Sequence, residues 1–161
     1  MDNQTEVPEG DSPAVDDIAI SKTYALDDLE VGMTGHYRRL VRERDIELFA
    51  EASGDVNPIH LDADYAAGSI FGERIAHGIL TAGYISATFA NELPGPGWIY
   101  VNQSLRFKAP VKIGDEVETE VTVSRLVPEK GFVEFKTACK VGDKVVLDGE
   151  ATLMAPKLSG A

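Results

Sequence analysis

The sequence predicts an α+β fold in which an antiparallel β-sheet wraps around one long, buried central helix. Residues 75–92 form the longest helical pattern and are apolar or small on nearly every side, which is typical of a helix without a solvent face. The segments that follow alternate apolar and polar residues with a period of two, which is typical of strands with one covered face. Short linkers at residues 128–131 and 142–143 favour hairpins and therefore antiparallel pairing.

The elements before the central helix are shorter. A strand is expected over residues 34–41, followed by a helix over residues 45–52 with Ile46, Phe49 and Ala50 on one face. Asp62 is a candidate N-cap for a short helix through residue 67, which Gly68 ends. The central helix ends before the Pro-Gly-Pro-Gly run at residues 94–97.

The strand face expected to be covered carries the apolar members of each alternating segment. We assign to it Ile99, Val101, Gln103, Leu105 and Phe107; Val117, Thr119, Val121 and Val123; Val133, Phe135, Thr137, Cys139 and Val141; and Leu147, Ala151 and Leu153.

The chain of 161 residues fits one domain, which we place at residues 22–158 after an acidic, disordered tail at residues 1–21. Residues 1–30 hold nine acids and one base, so they carry −8 of the net charge of −12. The remaining −4 is compatible with an anionic substrate, whereas the acidic balance makes nucleic acid a poor partner.

The single cysteine, Cys139, excludes an intrachain disulfide and is expected to be a small buried hydrophobe. Residues 1–10 lack the basic and apolar regions of a signal peptide, and residues 75–91 carry too many polar and small residues for a membrane span. We therefore expect a cytoplasmic protein.

Residues 53–60, Ser-Gly-Asp-Val-Asn-Pro-Ile-His, place an acid and a base five positions apart. Gly54 and Pro58 predict a fixed, turning loop from residue 54 to 59 that can aim the side chains of Asp55 and His60 at one point. A carboxylate and an imidazole that converge on one water form a general acid and base pair. The alternative is that Asp55 caps a turn and His60 hydrogen-bonds to backbone.

This segment resembles the signature of the MaoC-like or (R)-specific enoyl-CoA hydratase family of hot-dog proteins. The matching residues are Phe49, Ser53, Gly54, Asp55, Asn57, Pro58, Ile59, His60 and Ala66. A second matching block is Ile-Ala-His-Gly-Ile-Leu at residues 75–80, and the resemblance covers the central third to half of the chain. Ala52 departs from the larger aliphatic residue or glycine expected there. The resemblance implies the hot-dog fold and hydration of a 2-enoyl thioester, with Asp55 and His60 handling the protons.

The developing negative charge on the thioester oxygen needs a hydrogen-bond donor, which we expect at the start of the central helix. Gly78 is the best candidate because its backbone NH is open to close approach, and the family places an oxyanion donor at this glycine. The alternative for Gly78 is a close contact between helix and sheet.

Other candidates concern substrate binding. Asn57 is expected to bond local backbone and hold the loop. Tyr84 and Ser86 are candidates for the acyl pocket, although core packing explains them equally well. Basic residues are candidates for the phosphates of coenzyme A, namely Arg106 and Lys108 together with Arg42 and Arg44. His77 is interpreted as structural.

No phosphate loop, paired zinc ligands or serine-hydrolase elbow occurs in the sequence, so we expect no metal and no cofactor, with the coenzyme A thioester as substrate. The alternative activities are dehydration of a branched dicarboxylic or carrier-bound thioester, thioester hydrolysis, and a noncatalytic partner subunit. Unpaired edge strands predict a homodimer or higher homo-oligomer.

Overall fold

The computed structural model describes residues 22–157, so the predicted acidic tail lies outside the described residues. Six strands form one antiparallel sheet in the order β1-β4-β5-β6-β2, and β3 also pairs with β6. The strands are β1 (Thr34–Leu40), β2 (Ile99–Gln103), β3 (Arg106–Phe107), β4 (Glu116–Val127), β5 (Phe132–Val141) and β6 (Lys144–Met154).

Four helices connect or cover the strands: α1 (Glu43–Ser53), α2 (Pro58–Leu61), α3 (Ala63–Ala67) and α4 (Gly78–Asn91). Single 3₁₀ turns lie at Leu26–Asp28 and Pro128–Lys130. The longest helix, α4, packs against the sheet, where the Phe89 ring meets the buried Phe135 ring edge-on at 4.9 Å. The predicted α+β architecture, a sheet around one central helix, is confirmed.

The covered face of the long strands agrees with the two-residue alternation. In β4 and β5 the predicted inward residues are buried except Val141, which is half-buried at the end of β5, and Leu147, Ala151 and Leu153 of β6 are buried as well. A hairpin joins each consecutive pair of these strands, as the short linkers predicted.

The predicted assignment of residues to the covered face is wrong for strand β2. The predicted inward residues Ile99 and Val101 are half exposed, whereas the ring of Tyr100 packs edge-on against Phe89 of α4 at 5.3 Å. The register between β2 and β6 shifts between Tyr100 and Asn102. An aromatic ring reaches the helix better than the smaller side chains do, so the apolar alternation of this edge strand did not identify its covered face.

Helix α4 also departs from the prediction in two ways. It begins at Gly78 rather than at residue 75, because Ile75 forms a β-bridge with Lys112 and the NH of Ala76 donates to Val111. It also has an exposed stripe, because one sheet covers only one side of it. That stripe consists of Ile79, Gly83, Ser86 and Ala90.

The short helices agree with the sequence-based predictions more closely than α4 does. Asp62 caps α3 by accepting from the NH of Tyr65 at 2.9 Å, and Gly68 ends it, as predicted. The expected loop over residues 54–59 is wrong in its second half, because Pro58 begins the one-turn helix α2. Proline is favourable at the first helical position, where the missing NH has no intrahelical partner. Among the helices of residues 22–157, none is both long and apolar enough to cross a membrane.

Candidate active site

The loop between α1 and α2 presents the carboxylate of Asp55 to solvent. Helix α1 ends at Ser53 and is capped by Gly54, whose φ of +78° is left-handed and favours glycine. The hydroxyl of Ser53 donates to the carbonyl of Phe49 at 2.6 Å and accepts from the NH of Asp55 at 3.1 Å. Asp55 Oδ1 accepts from the NH of Asn57 at 3.2 Å, so Asp55 also forms a local turn.

His60 lies on α2 and is held from two directions. Its Nδ1 lies 2.8 Å from the carbonyl oxygen of Ile75, which can only accept, so Nδ1 carries the proton and donates. Its own carbonyl accepts from Arg74 Nε at 2.7 Å. The neutral ring therefore keeps its lone pair on Nε2, the nitrogen that is left to act as a base.

Burial is the main influence on the His60 imidazole, which is 9% exposed. Desolvation lowers its pKa below the ordinary value, and the neighbouring His77 adds to the lowering. The hydrogen bond to Ile75 and the charge of Asp55 act in the opposite direction. The net direction favours an unprotonated imidazole at neutral pH, the form that can accept a proton.

A pocket of about 420 Å³ opens beside His60. Its walls are mainly apolar and come from the start of α4, from β3, from β6 and from the segments that flank α4 and β3. The lining residues are His60, Phe71, Ile75, Ala76, Gly78, Ile79, Thr81, Phe107, Lys108, Ala109, Pro110, Val111, Val146 and Leu147. An apolar pocket with few polar groups suits an acyl chain whose reacting end meets the imidazole.

Gly78 is the first residue of α4 and lines this pocket. The first NH groups of a helix have no intrahelical acceptor and lie at the positive end of the helix dipole, so they are suited to stabilise a developing oxyanion. A Cβ at Gly78 would lie 2.5 Å from Phe107 Cε1. The close contact of helix and sheet therefore exists, and the oxyanion role of Gly78 stays a prediction.

Asp55, His60 and His77 offer nitrogen or oxygen atoms that all lie within 4.8 Å of one another. A metal ion would need these atoms to converge at about 2 Å from one point. The centroids of the His60 and His77 rings are 3.9 Å apart and the ring planes are tilted by only 31°, so the two rings are stacked rather than turned with their lone pairs toward one point. The trio fits proton transfer better than metal binding.

Of the four basic candidates, one lines the pocket. Lys108 lines it, and its Nζ lies 2.6 Å from Asp148 Oδ2. Arg106 is largely exposed, with Nε 3.4 Å from Asp148 Oδ1. The hydrogen bond from Lys108 is the main reason why the pKa of Asp148 is lowered. Arg42, the N-cap of α1, pairs with Asp45, and Arg44 on α1 pairs with Glu47 and Glu51.

The structure does not bring Tyr84 or Ser86 to this pocket. Ser86 lies on the exposed stripe of α4, about 12 Å along the helix from Gly78 at 1.5 Å per residue. Tyr84 is buried and its ring lies 6.5 Å from that of Tyr37. Asn57 caps α2 by accepting from the NH of Ile59 at 3.2 Å, in agreement with a loop-holding role rather than direct contact with the pocket.

Sequence reasoning missed two residues that build the site. Arg74 is mostly buried and joins the carbonyl of His60 to the carboxylate of Glu43 on α1. Phe71 forms part of the pocket wall. No local sequence pattern identifies either residue, because both act through contacts with distant parts of the chain.

Residues 26–146 match a family model described as the MaoC like domain. The chain is 55% identical over 130 residues to the (R)-specific enoyl-CoA hydratase of Rhodospirillum rubrum, covering 81% of this chain and 90% of that protein. It is 51% identical over 131 residues to the 3-hydroxybutyryl-CoA dehydratase of Methylorubrum extorquens, covering 81% and 83%. An unliganded R-hydratase structure from Pseudomonas aeruginosa superposes with a TM-score of 0.81 at 47% identity, covering 86% and 90%.

Proposed function

The chain belongs to the MaoC-like dehydratase family, and from that membership we propose that it hydrates trans-2-enoyl-CoA reversibly to (R)-3-hydroxyacyl-CoA at the pocket beside His60. The protein is a hydro-lyase with the hot-dog fold. The observation that carries the assignment of roles is that His60 and Gly78 line one apolar pocket while the Asp55 carboxylate lies within 4.8 Å of a ring nitrogen of His60. Water is the co-substrate, so the proposed reaction needs no cofactor.

The reaction adds the oxygen of water to Cβ of the enoyl group and a proton to Cα. His60 offers Nε2 as the base, because its Nδ1–H is committed to the carbonyl of Ile75. As the oxygen of water bonds to Cβ, a proton passes to the Asp55 and His60 pair and the electrons of the double bond move toward the thioester oxygen. The Gly78 NH stabilises that oxygen, and the pair returns a proton to Cα when the charge collapses.

Substrate binding is proposed to use the pocket wall for the acyl chain and Lys108 at its edge for a phosphate of coenzyme A. Lys108 is already paired with Asp148, and Arg106 lies beside the same carboxylate. The three groups carry a net positive charge, so they can attract an anion while Asp148 holds the lysine in place.

Crotonyl-CoA is the substrate that tests this function. The purified protein is expected to remove the enoyl absorbance of crotonyl-CoA without releasing free thiol. It is expected to leave butyryl-CoA unchanged, because a saturated chain has no Cβ that can accept water. Absorbance and a thiol reagent, followed in parallel, measure both reactions.

The two substrates separate the alternatives. Thiol release from crotonyl-CoA and butyryl-CoA at comparable rates would identify a thioesterase and contradict the hydratase. If crotonyl-CoA is inert but a branched or carrier-bound enoyl thioester is hydrated, the related dehydratase is the correct assignment.

The two edges of the sheet differ in a way that supports a homodimer. Edge strand β1 carries His36 and the charged Arg38, whose side chains face Glu120 and Glu118 of β4. Charges on an edge discourage pairing with another chain. Edge strand β2 instead exposes Ile99 and Val101, at 50% and 51%. We propose that a second copy of the chain covers the β2 edge.

Sedimentation is expected to show a species heavier than the 17.4 kDa monomer at micromolar concentration. Ile99→Lys is expected to shift the population toward monomer, because a charge would be buried between the copies. Leu40→Lys places the same charge on the β1 edge, where Leu40 is also partly exposed, and is expected to have no effect. Equal shifts for both variants, or a monomeric wild type, would contradict the proposed interface.

A further inference from the structure

Residues 75–78 contact the proposed acid and base, Asp55 and His60, and include the proposed oxyanion donor, Gly78. The carbonyl of Ile75 accepts from Nδ1–H of His60 at 2.8 Å. His77 reaches the backbone of Asp55, with its Nε2 3.0 Å from the Asp55 carbonyl oxygen. Gly78 begins α4 at the pocket. The mutual positions of the acid, the base and the oxyanion donor thus depend on one short segment, in which the His77 side chain contacts both Asp55 and His60.

The His77 ring occupies a closed position. It is 1% exposed and lies between two rings, with its centroid 3.9 Å from that of His60 and 4.7 Å from that of Phe49. The Asp55 carbonyl can only accept, so His77 Nε2 carries a proton and donates. In the neutral ring the lone pair then lies on Nδ1, which is buried and has no hydrogen-bond partner among residues 22–157.

We propose that His77 is a positioning residue that couples the Asp55 loop to the His60 imidazole. Its Nε2–H fixes the peptide of Asp55, and its ring fixes the plane of His60 and excludes water from one face of that ring. The proposal rests on the proposed roles of Asp55 and His60, through which His77 acts.

The chemistry of the position explains why an imidazole suits it. A phenyl ring can stack on His60 but cannot donate to the Asp55 carbonyl, which would lose its partner. A carboxamide can donate but is too narrow to cover the His60 ring. A permanent cation would bring a buried charge beside the base. A neutral imidazole with its proton on Nε2 meets all three conditions.

The charged and titratable groups that face His60 come from three elements. The Asp55 carboxylate faces it from the loop after α1, the His77 ring from the start of α4, and Arg74 from the segment before the β-bridge. Arg74 contacts the His60 carbonyl rather than the ring and is paired with Glu43. Loss of the His77 ring would admit water to His60 and reduce the desolvation that lowers its pKa.

Two substitutions separate the hydrogen bond from His77 to the Asp55 carbonyl from the stacking of His77 on His60. His77→Phe keeps the ring and removes the donor, so kcat for crotonyl-CoA is expected to fall about 10²-fold with little change in KM, as for a misplaced catalytic group. His77→Gln keeps a donor, so it is expected to retain more of kcat than His77→Phe. It is also expected to raise the pKa of His60, which moves the acidic limb of the kcat/KM profile to higher pH because the base must be unprotonated.

The pKa of His60 can be measured directly by NMR, because the chain has three histidines and His77→Gln leaves two. His36→Gln is the matched control, since His36 is half exposed on β1 and pairs with Glu120. It is expected to change neither kcat nor the pKa of His60. A merely structural role would lower the melting temperature of both His77 variants and leave the pKa of His60 unchanged, and that result would overturn the proposal.

The wild-type protein provides a test that needs no variant. Ring nitrogen chemical shifts are expected to show the proton on Nδ1 of His60 and on Nε2 of His77. The opposite tautomer of His77 would overturn the proposal even if both variants fail to fold. Failure of the proposed function is distinguishable, because it would appear as wild-type inactivity toward crotonyl-CoA with these tautomers in place.

Discussion

Replacing Asp55 with asparagine or His60 with glutamine is expected to lower kcat for crotonyl-CoA hydration by about 10²- to 10⁴-fold, the range typical of a general acid or base. In the proposed mechanism both groups take part in the same proton transfer, so the double variant is expected to lose little more than either single one. Asp55 is exposed, and glutamine can still donate to the Ile75 carbonyl from the His60 position, so both variants are expected to fold.

The controls use the same substitutions at remote, exposed sites. Asp143→Asn changes a carboxylate in the turn between β5 and β6, and His36→Gln changes an imidazole on β1. Both are expected to keep wild-type kcat. An Asp55 or His60 variant that retains activity within about threefold of wild type would remove that residue from the catalytic pair.

The sequence contained local information about the proposed catalytic pair but none about the contacts that hold His60 in place. Asp55 and His60 lie five positions apart with Gly54 and Pro58 between or beside them, so one loop carries both groups. The partners that fix His60 are 14 and 15 residues away, at Arg74 and Ile75. Such contacts depend on the path of the chain after α3. Neither hydrophobic periodicity nor a helix-capping residue predicts that path.

The sequence likewise predicted some parts of the fold and not others. Period-two alternation identified the covered face of β4 and β5 because both strands lie inside the sheet, where one face packs on α4. It failed for the edge strand β2, where Tyr100 rather than Ile99 meets the helix. The apolar composition of α4 likewise indicated burial without indicating which partner covers each side. A second copy of the chain over the exposed apolar residues would account for both departures.

Adding one methyl group at Gly78 is expected to lower kcat about 10²- to 10³-fold, the loss typical of removing an oxyanion donor. The new Cβ in Gly78→Ala would lie 2.5 Å from Phe107 Cε1 and 2.6 Å from Cδ1, so the ring must move. Phe107 is half exposed and can move, and the fold is therefore expected to survive. Steady-state kinetics and a melting curve, measured on the same preparation, separate the two effects.

The Phe107→Ala background distinguishes a blocked NH from a displaced ring. If the methyl group keeps the thioester oxygen away from the Gly78 NH, Gly78→Ala is expected to cause the same loss whether residue 107 is Phe or Ala. Recovery of kcat in the double variant would instead assign the loss to the ring and leave the oxyanion role of Gly78 without support. Gly68→Ala is the matched control, because Gly68 has a φ of −82° and its added Cβ meets its nearest neighbour, the Tyr65 carbonyl oxygen, at 3.6 Å. That variant is expected to retain wild-type kcat, since alanine accepts this helical conformation without strain.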